Sequence, residues 1–181
     1  MKTITTQTTV YKFNELTEEQ QQEAIQNNYD INVAHEWYQF VYEDAITVGI
    51  KIEGFDLDRG AYCNVEFTKD CQDVARLIQK QHGETTETYK DAAQYLSEYS
   101  DLVKKYSDGV NIDRVAEENE YDFDSEADEL ETEFKRMIAD DYKILLQQGY
   151  DYLTSEEAIK ETLIDKDRKS TRLNSSHDQR S

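Results

Sequence analysis

The chain contains no proline among its 181 residues, so other residues must end its helices and strands. Average usage near 5% would give about nine prolines in a chain of this length. Glycine can end helices instead, because it readily adopts the left-handed conformation in which many helices end. All six glycines follow helix-like stretches or lie in a hairpin pattern: Gly49, Gly54, Gly60, Gly83, Gly109 and Gly149. Since each has a structural explanation, the sequence indicates no phosphate-binding loop.

The balance of charge and apolar residues bounds the class of protein. Forty acidic and 20 basic residues give a net charge of −20, and 37% of residues are hydrophobic, yet 13 tyrosines, six phenylalanines and one tryptophan could close a modest core. No apolar run reaches the ~20 residues of a membrane-spanning helix, and the N-terminus lacks a signal peptide's hydrophobic centre. We therefore expect one soluble, intracellular domain, in which Cys63 and Cys71 are buried thiols.

The end of the chain looks foreign to the fold. Residues 167–177 read DRKSTRLNSSH, which resembles the translation of a short-read sequencing adapter, and an index barcode would follow at 178–181. Removing residues 167–181 leaves 38 acidic and 16 basic residues, a net charge of −22. The sequence therefore predicts a single α+β domain over residues 1–166 and a non-native, adapter-derived tail.

A small sheet is expected in the N-terminal half. Residues 6–13 are rich in Thr, Val, Tyr and Phe, which favour extended strands. Residues 49–67 alternate apolar and polar side chains on either side of a turn near residues 58–60, the pattern of a β-hairpin. The three strands together predict a small antiparallel sheet, which needs a layer of helices to bury its apolar face.

Helices on either side of the hairpin can supply that layer. Thr17 and Gln20 form a capping box that opens a helix to about Asn28. Apolar residues at three- and four-residue spacing predict one further helix over 33–48 and another over 70–82.

From about residue 86 the chain is expected to be mostly helical. Residues 86–107 place apolar side chains in alternating steps of three and four, a heptad spacing: Tyr89, Ala92, Leu96, Tyr99, Val103 and Tyr106. Residues 125–148 offer a partner stripe: Leu130, Phe134, Met137, Ile138, Tyr142 and Leu145. The tyrosines favour an intramolecular antiparallel helix pair over a tight dimer. A last helix begins at Thr154, capped with Glu157. The predicted fold class is α+β, with a three-stranded antiparallel sheet and a helical C-terminal half.

The most unusual segment is residues 117–133, EENEYDFDSEADELETE, which holds ten carboxylates in seventeen residues and no basic residue. Charges of one sign packed so closely repel each other, so the segment is either a solvated acidic loop and helix start or the binding site of a cationic partner. The candidate partner-binding residues are its carboxylates and two aromatic residues: Glu117, Glu118, Glu120, Tyr121, Asp122, Phe123, Asp124, Glu126, Asp128, Glu129, Glu131 and Glu133.

Metal binding and catalysis find little support in the residue pattern. Asp122, Asp124, Glu126 and Glu133 occupy the first, third, fifth and twelfth positions of an EF-hand-like loop, but position six is Ala127, where the sharp turn needs glycine. We therefore expect no metal and no cofactor.

The histidines and cysteines name no catalytic site either. His35 and Glu36 are not followed by the second histidine of a zinc protease, and His82 beside Gly83 suits a helix-capping role. No cysteine stands close to a histidine along the chain. An enzyme is not expected, and a small hydrolase whose site cannot be seen in the sequence is kept as an alternative.

Direct nucleic-acid binding is disfavoured, because duplex DNA would repel a protein of net charge −22 that lacks a basic patch. Binding to a protein surface that normally holds nucleic acid is more attractive. Carboxylates interleaved with Tyr121 and Phe123 could occupy a groove lined by Lys and Arg that normally holds nucleic acid. The chain would then act as a decoy for DNA.

Two runs resemble a known family: VYKFNELTEEQQQEAIQNNYDIN at 10–32 and IEGFDLDRGAYC at 52–63. They are similar to small acidic proteins of bacteriophages and prophages of gut bacteria, the type II-A anti-CRISPR proteins recovered from gut metagenomes, over roughly residues 8–108. The resemblance implies no enzyme activity and no cofactor. It implies stoichiometric binding to the guide-loaded Cas9 nuclease at the cationic surface that recognises the PAM-bearing duplex.

The resemblance also implies a place of action, the cytoplasm of the infected or lysogenic bacterial host. No membrane partner is expected, and the chain is expected to be a monomer or a weak dimer. An antitoxin-like or regulatory phage protein that neutralises another basic partner is kept as an alternative.

Overall fold

A computed structural model describes residues 11–107 and 116–177, with side chains for 11–107 and 122–167. Its fold is α+β, as predicted, and mostly helical. Within the described residues a 3₁₀ turn, six helices and two strands follow in order: Phe13–Glu15, α1 (Glu18–Asn27), α2 (Gln39–Thr47), β1 (Ile50–Asp56), β2 (Tyr62–Phe67), α3 (Cys71–Gln81), α4 (Glu87–Ser107), α5 (Ala116–Leu153) and α6 (Glu156–His177).

The chain forms two compact units. One consists of residues 1–37 and 149–181, and the other of residues 38–148. Among the described residues, no helix combines the length and the apolar character needed to cross a membrane.

The β-hairpin of the second unit is confirmed. β1 and β2 are antiparallel, with Ile52 opposite Val65 and Phe55 opposite Cys63, and a register shift lies between Ile52 and Gly54. The turn contains Gly60 at a φ of +83°, a left-handed conformation that glycine adopts without steric cost.

The predicted third strand is not found in the described residues. Residues 6–10 of that prediction lie outside them, and Phe13 begins a 3₁₀ turn rather than a strand. The ring of Phe13 is buried with Ile25 and Ile159 of two helices. Because helices bury this apolar side chain, the segment gains no packing from joining a sheet, and the described sheet has two strands.

The core of the second unit centres on Phe134 of α5. The Phe134 ring stacks on Tyr95 of α4 at 4.4 Å and meets Phe67 of β2 edge-on at 5.6 Å. The predicted buried thiols are confirmed for Cys63 and Cys71, and burial raises their pKa values to about 11 and about 12.

The predicted heptad spacing of α4 is present, but its register differs. The buried residues of α4 are Thr88, Ala92, Tyr95 and Leu102. The prediction chose Leu96 and Val103, and Val103 is 39% exposed. Tyr95 is the buried residue because its ring stacks on Phe134.

The predicted stripe of α5 is confirmed at Phe134, Ile138 and Tyr142, which are buried. Its last position differs, because Leu146 is buried and the predicted Leu145 is 42% exposed. Contacts between α4 and α5 run in opposite chain order, from Tyr95 with Phe134 to Lys105 with Glu126, as in an antiparallel pair.

Three helix boundaries differ from the prediction because turns and packing decide them. Helix α5 begins at Ala116 instead of residue 125, and Gly149 lies inside it instead of ending it. A Cβ at Gly149 would be 3.3 Å from the Trp37 ring, so this glycine permits a close approach. Helix α2 begins at Gln39 instead of residue 33, because the chain before it makes turns such as the bond from Ala34 N–H to Asp30 O.

Hydrogen bonds between distant segments hold the first unit together. The capping box of Thr17 and Gln20 is confirmed. Asn32 donates to the Leu153 carbonyl oxygen and accepts from the Thr162 hydroxyl. Ahead of α6, the Ser155 hydroxyl accepts from Ala158 N–H, so Ser155 caps this helix in place of the predicted Thr154.

Helix α6 continues past residue 166, and Phe13 N–H donates to Asp167 Oδ2 at 2.6 Å. A single domain over 1–166 with an adapter-derived tail stays a prediction.

Candidate functional site: the acidic face of α5 and a histidine pocket

The acidic segment is helical throughout, which replaces the predicted loop and helix start with one continuous element. The side chains of Glu117, Glu118, Glu120 and Tyr121 lie outside the described set. The seven other carboxylates form two rows set by helical spacing, with Asp122, Glu126, Glu129 and Glu133 in one row and Asp124, Asp128 and Glu131 in the other.

This helix does not provide the twelve-residue loop of an EF-hand, because that loop has to fold around its ion. Within the described part of the chain, no group of three or more His, Cys, Asp or Glu side chains is arranged to hold a metal ion.

Basic neighbours partly neutralise the segment, contrary to the pattern read from sequence. Lys105 Nζ lies 2.6 Å from Glu126 Oε1, and the Tyr106 hydroxyl donates to the same oxygen at 2.9 Å. Arg136 makes a two-pronged contact with Glu133. Hydrogen bonds from these partners lower the pKa values of Glu126 and Glu133.

Glu131 has a longer contact, 3.7 Å from Lys135 Nζ. All three carboxylate–cation contacts are largely solvated, so each contributes little to stability.

Four carboxylates keep their charge uncompensated by the described side chains. Asp122, Asp124, Asp128 and Glu129 are exposed, and no described Lys or Arg lies within ion-pair distance of them. Because all four residues lie on one helix, helical geometry fixes the spacing of these charges.

Phe123 packs against α4. Its ring meets Tyr106 edge-on at 5.5 Å and Tyr99 at 6.5 Å, and the residue is only partly exposed. These contacts fasten the acidic part of α5 to α4. The binding role of Phe123 stays a prediction, and only the exposed part of its ring is free to contact a partner.

A second candidate site, which the sequence pattern did not indicate, is a pocket of about 650 Å³ in the second unit. Three polar residues in it come from separate elements: Asp44 from α2, His82 from the end of α3 and Asp141 from α5. They are 38 and 59 residues apart in sequence, and none belongs to a recognisable motif.

A chain of hydrogen bonds fixes the tautomer of His82. The Thr86 hydroxyl donates to the Gly83 carbonyl oxygen at 2.8 Å, and the Thr88 hydroxyl donates to Thr86 Oγ1 at 3.2 Å. A carbonyl oxygen can only accept, and each hydroxyl has one proton. Thr88 Oγ1, 2.8 Å from His82 Nδ1, must therefore accept the proton of that nitrogen.

The other nitrogen of the ring is left as an acceptor when the imidazole is neutral. His82 Nε2 lies 3.5 Å from Asp44 Oδ2, which accepts from the Tyr142 hydroxyl at 3.1 Å. His82 Nε2 is buried and makes no hydrogen bond with any described residue, and the side chain is only 8% exposed. Two acceptors thus face each other without a donor between them. The predicted capping role of His82 is confirmed for its main chain, whose N–H donates to the Ile78 carbonyl oxygen at the end of α3, while the ring bonds to Thr88.

The direction of these bonds also bears on catalysis. In a nucleophile–base pair the hydroxyl donates to the imidazole and gives up its proton to it. Thr88 instead accepts from His82 and is 4% exposed. The pair therefore does not have the arrangement of an activated threonine nucleophile.

Asp141 adds a further acceptor. Its Oδ2 atom is buried and has no hydrogen-bond partner among the described residues. Burial, followed by the charges of Asp91, Glu87 and Asp140, raises the pKa of Asp141 to about 7. With Asp141 ionised and the His82 ring neutral, the pocket is rich in acceptors and short of donors.

Comparisons of the chain with protein-family models, with curated proteins and with solved structures found no match. Its function has therefore to be inferred from its own residues.

Proposed function

We propose that this chain is a non-enzymatic inhibitor that binds the cationic nucleic-acid-binding surface of a nucleic-acid-processing protein, with guide-loaded Cas9 as its target. The observation that carries the proposal is the group of exposed carboxylates at Asp122, Asp124, Asp128 and Glu129, which have no described cation near them. The resemblance of residues 10–32 and 52–63 to anti-CRISPR proteins supplies the target.

The density of charge supports a decoy for DNA. Residues 117–133 are helical and contain ten carboxylates. At a rise of 1.5 Å per residue they cover about 24 Å, or about one charge every 2.4 Å. Duplex DNA carries about one charge every 1.7 Å of its axis. A groove that accepts DNA would therefore meet a comparable density of negative charge on this helix.

The rigidity of the acidic segment also supports its role as a decoy for DNA. The Phe123 contacts with Tyr99 and Tyr106 attach the acidic part of α5 to α4. A binding segment that is already ordered loses less conformational entropy on association than a loop that must order. The charges can then steer the encounter with a basic partner and strengthen the complex.

The test is a Cas9 cleavage assay with increasing amounts of the protein. Inhibition is expected to saturate near one inhibitor per guide-loaded nuclease and to weaken as salt concentration rises, because exposed charge contacts are screened. No inhibition at a several-fold molar excess would remove Cas9 as the target. Inhibition that does not respond to salt would remove the acidic face as its cause.

A charge-matched pair of variants locates the binding surface. The test variant replaces the four uncompensated carboxylates: Asp122→Asn, Asp124→Asn, Asp128→Asn and Glu129→Gln. The control removes four exposed carboxylates outside α5: Glu23→Gln, Glu84→Gln, Glu98→Gln and Glu161→Gln. The test variant should lose at least tenfold in affinity, whereas the control should lose much less. Equal losses would mean that net charge acts without a defined surface.

An antitoxin-like role makes a different prediction in the same experiment. The four-residue test variant would then fail to bind another basic protein of the host or phage, while neither form of the protein would slow Cas9.

A further inference from the structure

We infer that the pocket between α2, the α3–α4 connection and α5 binds an organic ammonium group carried on an apolar body. The inference rests on residues other than the acidic face of α5 and does not depend on the proposed inhibitor function.

The polar side of the pocket calls for hydrogen-bond donors. When the His82 ring is neutral, its Nε2 is a buried acceptor 3.5 Å from Oδ2 of the half-exposed Asp44, and Asp141 Oδ2 is a second buried acceptor without a described partner. Leaving buried acceptors unpaired is costly, so a ligand that supplies donors gains more here than at the surface. An ammonium group has three donors and no acceptor, which matches this set.

The charges of the pocket favour the same ligand. Asp44, Glu87 and Asp141 line it, and no Lys or Arg stands among the described residues of its wall. An anion would meet three carboxylates. A cation would relieve the repulsion that Glu87 and Asp91 exert on Asp141.

One part of the pocket lining is apolar. It is formed by Val41, Phe40, Ile144 and Leu145, and the last three are 83%, 49% and 42% exposed. Large apolar side chains exposed beside a concave polar site favour a ligand with an apolar part. A volume of about 650 Å³ suits a body of one ring or a short alkyl chain.

Binding of 2-phenylethylammonium is the direct test, followed by calorimetry and by ¹⁵N NMR of the His82 ring. Matched probes are 2-phenylethanol, which lacks the charge, and 3-phenylpropionate, which reverses it. We expect the ammonium to bind at least tenfold more tightly than the alcohol, the carboxylate not to bind, and the Nε2 signal to shift on addition of the ammonium.

The source of the ammonium is distinguished by N-acetyl-lysine N-methylamide. Tighter binding of this probe than of 2-phenylethylammonium would assign the pocket to a lysine side chain of a protein, and weaker binding would assign it to a free amine. Failure of both at millimolar concentration would overturn the inference. Equal binding of 2-phenylethanol, or an His82 ring with both nitrogens protonated before the ligand is added, would overturn it too.

Two variants connect binding to the two walls. Asp44→Asn should lower affinity for 2-phenylethylammonium at least tenfold, whereas Glu43→Gln, an exposed neighbour on α2, should not. Phe40→Ser changes a side chain that is 83% exposed, so the protein should fold normally and still lose several-fold in affinity. Unchanged affinity in both Asp44→Asn and Phe40→Ser would place the ligand elsewhere.

Discussion

The Tyr95 ring lies nearly parallel to the Phe134 ring, with an angle of 11° between their planes and 4.4 Å between their centroids. This stack joins α4 to α5 in the core of the second unit. The hydroxyl of Tyr95 is buried and has no described hydrogen-bond partner, whereas the hydroxyl of Tyr142, also in the core, donates to Asp44.

Removing these two hydroxyls should have opposite effects. Tyr95→Phe keeps the ring and removes an unpaired polar group, so the free energy of unfolding should rise by about 1 kcal/mol. Tyr142→Phe breaks a hydrogen bond and should lower it by about 1 kcal/mol. Urea unfolding of both variants measures the difference. A loss of stability in Tyr95→Phe would mean that its hydroxyl has a partner.

Asp141 should make the protein less stable as pH rises. Its pKa is raised from 3.8 to about 7, first by burial and then by Asp91, Glu87 and Asp140. Between about pH 4 and pH 7 the folded chain therefore holds a proton that the unfolded chain has lost. The contribution of this group to stability falls across that range and is lowest above pH 7.

The substitution Asp141→Asn should remove this pH dependence and raise Tm at pH 8 more than at pH 5. The other titratable groups of the pocket, Asp44, His82 and Glu87, remain in both proteins. Asp140→Asn is the control, because Lys143 lowers the pKa of Asp140. Its loss should lower Tm at pH 8. A Tm difference for Asp141→Asn that is the same at both pH values would contradict the assignment.

Gly149 tests close packing against helix propensity. In an open helix, Gly→Ala should stabilise by about 1 kcal/mol. At Gly149 the new Cβ would lie 3.3 Å from Trp37 Cζ3, so the gain should be smaller or reversed. In a Trp37→Leu background the gain should approach its full value. Urea unfolding of the four proteins of this double-mutant cycle measures the coupling, and additive effects would mean that the ring moves aside freely.

Lys105→Gln should strengthen partner binding while lowering stability by less than 1 kcal/mol. It frees Glu126, whose pKa is lowered first by the hydrogen bond from Lys105, and adds an uncompensated carboxylate to the acidic face. Lys104→Gln is the control, since Lys104 pairs with Asp101 on α4. The association rate with guide-loaded Cas9 at low salt is the measurement. A slower association for Lys105→Gln than for Lys104→Gln would argue against the face.

The sequence predicted those parts of the fold that depend on short-range patterns. Thr17 and Gln20 are three residues apart, and the hairpin alternates over a few residues around Gly60. Both features depend on residues close together in the chain, so the sequence is enough to predict them. The period of α4 was also visible, but Tyr95 and Leu96 are adjacent and both apolar, so only stacking on Phe134 decides which is buried.

The candidate sites were predictable to different degrees. The carboxylates of residues 117–133 cluster in the sequence and could be recognised directly, but Lys105 and Tyr106, which bind Glu126, lie on another helix. The pocket could not be predicted, because Asp44, His82 and Asp141 meet only through tertiary packing.

The hydrogen-bond chain that orients the His82 ring ends on a main-chain atom, the Gly83 carbonyl oxygen. A carbonyl is present whatever side chain occupies position 83. Exchanges at that position therefore leave the polarity of this hydrogen-bond chain intact, whereas losing either threonine hydroxyl would free a neutral His82 ring to carry its proton on Nε2 instead of Nδ1.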